Sequence, residues 1–134
     1  MIFSKVHLKP INGNDFVSCL NDLKSACSEK GIFNPVFILD NARIHHFSGV
    51  KEMLANNDLK LLYLPPYSPF LNPIESSFSK WKNYVTRGNA RNEEELMSLI
   101  ANGFDSINLA DCNGFFRKMS RYVNKSFSRE NIEN

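Results

Sequence analysis

Phe16, Leu20, Leu23 and Cys27 recur three or four positions apart, the period of one helical face, and Gly31 follows as a stop. Before them "INGNDF" supplies turn and helix-cap residues, and the opening "MIFSKVHL" alternates well enough to predict a short strand. The pattern then changes. "PVFILD" is a continuous apolar run ending in Asp40, which predicts a strand covered on both faces, as in parallel sheets. Ser48 caps a predicted short helix that buries Val50, Met53 and Leu54, and "LKLLYL" at 59–64 predicts the next strand. This alternation implies an α/β layer with right-handed crossovers.

From residue 73 onward the pattern is helical. Ile74, Phe78, Trp81 and Val85 mark one face of a helix ending near Gly88, and Asn92 with Glu95 resembles a capping box ahead of Leu96, Leu99, Ile100 and Phe104. A last amphipathic segment, roughly 112–125, directs Phe115, Phe116, Met119 and Val123 inward, and a polar tail follows Phe127. The reading totals three strands and about five helices.

Composition narrows the class. A chain of 134 residues with 43% hydrophobic and 22% charged residues has the make-up of one globular domain. The net charge of +2 permits a nucleic-acid partner without requiring one. Three cysteines, Cys19, Cys27 and Cys112, lack C-x-x-C spacing, which argues against a disulfide framework or a zinc site and for a reducing compartment. No apolar run approaches the ~20 residues that span a bilayer, and no signal-peptide pattern opens the chain, so a soluble intracellular protein is expected.

Two carboxylates stand out. Ligands of open α/β sheets bind at the C-terminal ends of strands, where the apolar run places Asp40. Glu75 falls in the first turn of the helix after "LPPYSPFLNP", where Pro65, Pro66 and Pro69 restrict the backbone and hold the helix start in one place. Two carboxylates converging from distant parts of a chain can chelate Mg2+, a hard cation that prefers oxygen, and support phosphoryl transfer. Structural roles compete with this chemistry. Asn72 as N-cap, Pro73 at the first helical position and Glu75 two further on form a capping arrangement, and Asp40 before Asn41 can close an Asx turn. His45 and His46 taken alone read as polar surface residues, and Trp81 as core.

Taken together, "VFILDNARIHH" and "LPPYSPFLNPIESSFSKWK" resemble the second and third blocks of the DDE transposases of the mariner-like superfamily. In that family the second catalytic aspartate ends a strand and is followed by Asn and then by a His, a pattern that Asp40, Asn41 and His45 match. The catalytic glutamate ends a P-P-Y-S-P-x-L-N-P-I-E motif, matched from Pro65 through Asn72 and Pro73 to Glu75, and 34 residues lie between positions 40 and 75. One departure is Phe70, where many relatives carry an acidic residue.

The resemblance implies a three-layer RNase H-like α/β fold, with residues 1–90 forming part of the catalytic domain and 91–134 its C-terminal helices. It also implies Mg2+ (or Mn2+) held by Asp40 and Glu75, with Asn41, His45, Asn72 and Pro73 in support. The activity implied is cleavage and strand transfer of double-stranded DNA, at transposon ends and target, in the nucleus and with a possible homodimer. Lys80, Lys82 and Arg87, near Glu75 in sequence, are the DNA-contact candidates, and Arg117, Lys118, Arg121, Lys125 and Arg129 form a second basic group.

The family also requires a third carboxylate, on the first strand of the sheet, and the matching segment would lie N-terminal to residue 1. Asp15 reads as a helix cap, and Asp58, Asp105 and Asp111 fall at turns or on late helices. The expectation is therefore a domain truncated at its N-terminus, lacking the first two strands, inactive alone and with an exposed edge on the Asp40 strand. The alternative is a transposase-derived, non-catalytic DNA-binding or interaction module.

Overall fold

The computed structural model describes residues 2–57 and 59–129. They form two compact units, Met1–Tyr67 and Ser68–Asn134.

In the first unit, helix α1 (Gly13–Glu29) starts at a capping box: Asn12 Oδ1 accepts from the Asp15 N–H at 2.9 Å, and the Asn12 N–H donates to Asp15 Oδ2 at 3.0 Å. Asn12 is thus the cap, and Asp15, expected in that role, is its partner in the first turn. Gly31 follows the helix at φ 72°, a left-handed conformation that glycine adopts without strain. Strands β1 (Val36–Leu39) and β2 (Lys60–Tyr63) pair in parallel with Val36 beside Lys60 and Leu39 beside Tyr63, and helix α2 (Ser48–Asn57) connects them. Leu20, Cys27, Phe37, Val50 and Met53 form the buried core, ringed by Phe16, Val17, Leu23, Phe47, Leu54, Leu59 and Leu61.

Two strand expectations fail. Residues 2–8 form no strand, because no neighbouring strand offers them hydrogen bonds. The segment is tied to α1 instead, by Lys5 Nζ at 3.1 Å from Asp22 Oδ2 and by His7 Nε2 at 3.6 Å from Cys19 Sγ. Nor is β1 covered on both faces. Phe37 points into the core, while the alternate side chains Val36 and Ile38 are 53% and 54% exposed. A strand with one covered face buries every second residue only, however apolar the run.

The second unit is helical: α3 (Pro73–Gly88) packs on α4 (Glu93–Asp105) and α5 (Leu109–Phe127). Trp81 is the pivot, its ring stacked on Phe104 with centroids 4.9 Å apart and its indole N–H donating to the Ile100 carbonyl at 3.1 Å. Gly103 lies buried beneath it, where a β-carbon would come within 2.7 Å of Trp81 Cδ1. Asn89 caps the end of α3 in the left-handed conformation.

At α4, Asn92 Oδ1 accepts from the Glu95 N–H at 2.8 Å, but the Glu95 carboxylate accepts from Arg91 N–H rather than from the cap residue. Helix α5 begins earlier than its apolar period suggests, because Asn108 and Asp111 form a complete capping box. Phe116 is a correction as well: it is 55% exposed, one position off the inward face of Phe115, Met119 and Val123. Asp58 and the polar tail at 130–134 lie outside the described residues.

Candidate active site

Asp40 follows the last residue of β1 and is exposed. Its Oδ1 accepts from the Ala42 N–H at 3.1 Å, closing an Asx turn that ends the strand. His45, on the short 3-10 turn Arg43–His46, folds back so that Nδ1 lies 2.8 Å from the same Oδ1 and 3.0 Å from the Asp40 carbonyl oxygen. Both neighbours accept only, so Nδ1 carries the proton and donates to both. Oδ2 has no hydrogen bond among the described residues. The Asx turn and a ligating role are compatible, because they use different oxygens of one carboxylate.

The turn itself is anchored. The Tyr63 hydroxyl donates to the His45 carbonyl at 2.8 Å, the His46 ring stacks on Tyr63 with centroids 4.3 Å apart, and His46 Nε2 meets Asn41 Oδ1. Leu64 N–H donates to the Leu39 carbonyl at 2.8 Å and extends the ladder to the residue before Asp40. Asn41 and His45 therefore act on the orientation of Asp40. Tyr63 is a residue that sequence reasoning missed; its register opposite Leu39 places it beside the strand end, which only the pairing reveals.

Glu75 occupies the other unit. Asn72 caps α3, its Oδ1 accepting from Ile74 N–H at 3.3 Å, and Pro73 takes the first helical position, where a missing N–H costs nothing. The capping box that would engage Glu75 does not form. The Asn72 N–H donates instead to the Pro69 carbonyl at 3.0 Å, and the exposed Glu75 carboxylate has no hydrogen bond among the described residues. An acidic side chain in a first turn gains from the helix dipole, yet here it serves no cap.

Phe70 has a local explanation: its ring lies 5.5 Å from that of Tyr122, tying the 3-10 turn Pro69–Leu71 to α5. An open cleft of about 480 Å³, lined in part by Pro69, Phe70, Glu75, Ser79 and Lys118, lies within this unit. Of the basic candidates, Lys80 is engaged, with Nζ 2.5 Å from Asp111 Oδ2. The Lys80 ammonium, together with the Asn108 backbone N–H, holds the Asp111 carboxyl below the ordinary carboxylate value. Lys82 and Arg87 are exposed and form no ion pair among the described residues. Asp15 and Asp111 serve helix caps, and Asp105 ends α4.

Among the described residues no three His, Cys, Asp or Glu side chains form a metal-binding cluster. What the two units offer is one free carboxylate oxygen on Asp40 and the free carboxylate of Glu75, hard donors of the kind Mg2+ and Mn2+ accept.

The family model for the DDE superfamily endonucleases matches residues 1–97. The chain belongs to that family. Membership implies an RNase H-like fold, and the mixed α/β unit with its small parallel sheet is the part of that fold most visible here. The matched span of this DDE endonuclease chain includes Asp40, the proline-rich segment, Glu75 and all of α3. No curated protein matches the chain. No helix among the described residues is long and apolar enough to cross a membrane.

Proposed function

We propose that this chain carries two metal-ligating carboxylates, Asp40 and Glu75, of a mariner-like transposase that cuts and joins double-stranded DNA in the nucleus. The observation that carries the reading is the bare carboxylate of Glu75: Asn72 and the Pro69 carbonyl satisfy the helix start without it. Oδ2 of Asp40 is free in the same sense, while Oδ1 and His45 set its direction. Mg2+ or Mn2+ at such residues would lower the pKa of a bound water or hydroxyl and offset charge on the phosphate. Asn41 and His45 hold Asp40, and Asn72 and Pro73 hold the helix start that bears Glu75. Lys82 and Arg87 contact DNA phosphates, with Lys80 retained as the tie to α5.

A site of this kind uses a third carboxylate, which residues 1–134 do not supply in the family pattern, so these residues by themselves are expected to bind metal and not to cleave DNA. The test is Mn2+ binding followed by loss of the free-ion paramagnetic resonance signal. Asp40→Asn and Glu75→Gln should each weaken binding. Equal Mn2+ affinity in the wild type and both variants, or no binding by the wild type, would sink the proposal.

A non-catalytic DNA-binding role is favoured by one observation, the exposed Arg117, Lys118, Arg121 and Lys125 on α5. It predicts salt-dependent DNA binding that Asp40→Asn leaves unchanged.

A further inference from the structure

Four non-glycine residues have positive φ: Asn34, Tyr67, Asn89 and Arg129. Three have ordinary explanations. Asparagine tolerates the left-handed region, and Arg129 follows the C-terminal cap of α5, where such a residue commonly ends a helix. Tyr67, at φ 55°, has none of these. It follows Pro66 in a turn, and a proline followed by a positive-φ residue is the pairing of a type II turn, whose second position favours glycine. Tyrosine there is strained, and strain of this kind persists where something outside the local fold selects the side chain.

The fold does not use that side chain. Tyr67 is 99% exposed, and its ring makes no ring contact or hydrogen bond among the described residues. An aromatic side chain normally offsets the cost of ordering it by burying its large apolar area. Here the chain accepts the backbone strain and leaves the ring in water. Pro65, Pro66 and Pro69 around it limit the backbone, so the ring is held out on a stiff support.

We infer that Tyr67 is a stacking platform for a DNA base. The inference rests on the reading of the chain as a DNA-acting endonuclease and adds to it a contact that reads no sequence. Every base has a π face, so one exposed ring accepts any of them, and the phenol hydroxyl stays in water. Tyr67 stands eight residues before Glu75, in the same proline-rich segment. The ring carries no charge, so its contribution is separable from that of Lys82 and Arg87, which act on phosphates.

The experiment uses the full chain and a fluorescein-labelled oligothymidine at low salt, read by anisotropy, with a 5-iodouracil version for photocrosslinking and peptide mapping. Tyr67→Ala and Tyr67→Gly should weaken binding by about fivefold or more, Tyr67→Phe should stay within about twofold of wild type, and the crosslink should map to Tyr67. The dependence on salt should keep its slope in all three variants. Tyr67→Gly separates this role from a structural one: it relieves the strained φ, so its melting temperature should equal or exceed that of the wild type.

Unchanged binding in Tyr67→Ala and Tyr67→Gly overturns the inference and leaves the metal reading intact. So does a marked fall in the melting temperature of Tyr67→Gly, which makes the ring structural, or a loss of self-association in Tyr67→Ala, which assigns the ring to a second copy. Absence of any oligothymidine binding by a chain that still takes Mn2+ overturns it too. Tyr67-dependent DNA binding by a chain that takes no Mn2+ supports it while removing the metal proposal.

Discussion

In the unit Met1–Tyr67, Leu20, Cys27, Phe37, Val50 and Met53 are buried together, and Asp40 follows a strand whose partner, turn and histidine all act on it. In the unit Ser68–Asn134 burial is thin: Gly103 and Ile107 are buried, while Ile74, Phe78 and Leu96 remain substantially exposed. Glu75 is placed there by a cap and a proline, and its carboxylate has no hydrogen bond or ion pair among the described residues. One carboxylate is thus oriented by a hydrogen-bonded surround, the other by backbone geometry alone. A side chain held at one oxygen loses little freedom when the other takes a ligand. A bare side chain must still be ordered, at an entropic cost of up to about 2 kcal/mol for a glutamate.

The largest effect expected from breaking this contrast is in the core of the first unit. Phe37→Ala removes a buried ring beside Val50 and Met53 and should cost about 3–5 kcal/mol, seen as a shift of the urea midpoint in far-ultraviolet circular dichroism. Trp81, the single tryptophan, sits in the other unit and reports on it separately. Its emission should move at higher urea than the dichroism in this variant; a single shared transition would mean that the two units unfold as one.

The converse substitution acts on the thin side. Gly103→Val places a β-carbon within 2.7 Å of Trp81 Cδ1, and the resulting overpacking should cost about 1–3 kcal/mol. Here the Trp81 emission midpoint should fall first. A dichroism midpoint that falls equally would again tie the units together.

Smaller effects separate cap from carboxylate. Asn72→Ala removes the side-chain acceptor at the start of α3 and should cost about 1 kcal/mol in thermal unfolding. Glu75→Gln should change stability by less than about 0.5 kcal/mol, since its carboxylate caps nothing. Equal losses in the two variants would return Glu75 to a structural role.

The smallest effect concerns pH. The Asp111 carboxyl lies below its ordinary value in the folded protein, so its contribution to stability is present above the unfolded-state pKa of about 3.9 and is lost as pH falls through the lower folded value. Acid unfolding followed at Trp81 should therefore show a shallower dependence in Lys80→Met, which deletes the larger cause of the shift. An unchanged profile would show that the pair contributes little.

Helical periods were the most legible feature, because a helix makes its hydrogen bonds within itself and its caps are short-range. Asn12, Asn72, Asn92 and Asn108 each accept a first-turn N–H. Asn108 and Asp111 have the same Asn-x-x-Asp spacing as Asn12 and Asp15, a short-range signal that places the start of α5 ahead of the apolar period at 112. Strands were less legible. "PVFILD" and "LKLLYL" hold strands, but residues 2–8 do not, since a strand exists only where another strand pairs with it.

The same division runs through the site. Residue order alone determined that an acidic side chain ends an apolar run at position 40 and that another follows a proline-rich segment at position 75, and the joined motifs identify a DDE endonuclease. Tertiary structure decided how the groups are used: that His45 and the Ala42 N–H share Oδ1 of Asp40, that Glu75 is released from capping, and that Lys80 turns to Asp111. It also decided that Tyr67 stands strained and bare. Residue types and spacing limit which groups can meet. Which oxygen meets which proton depends on distances of about 3 Å, and those are set only when the chain has packed.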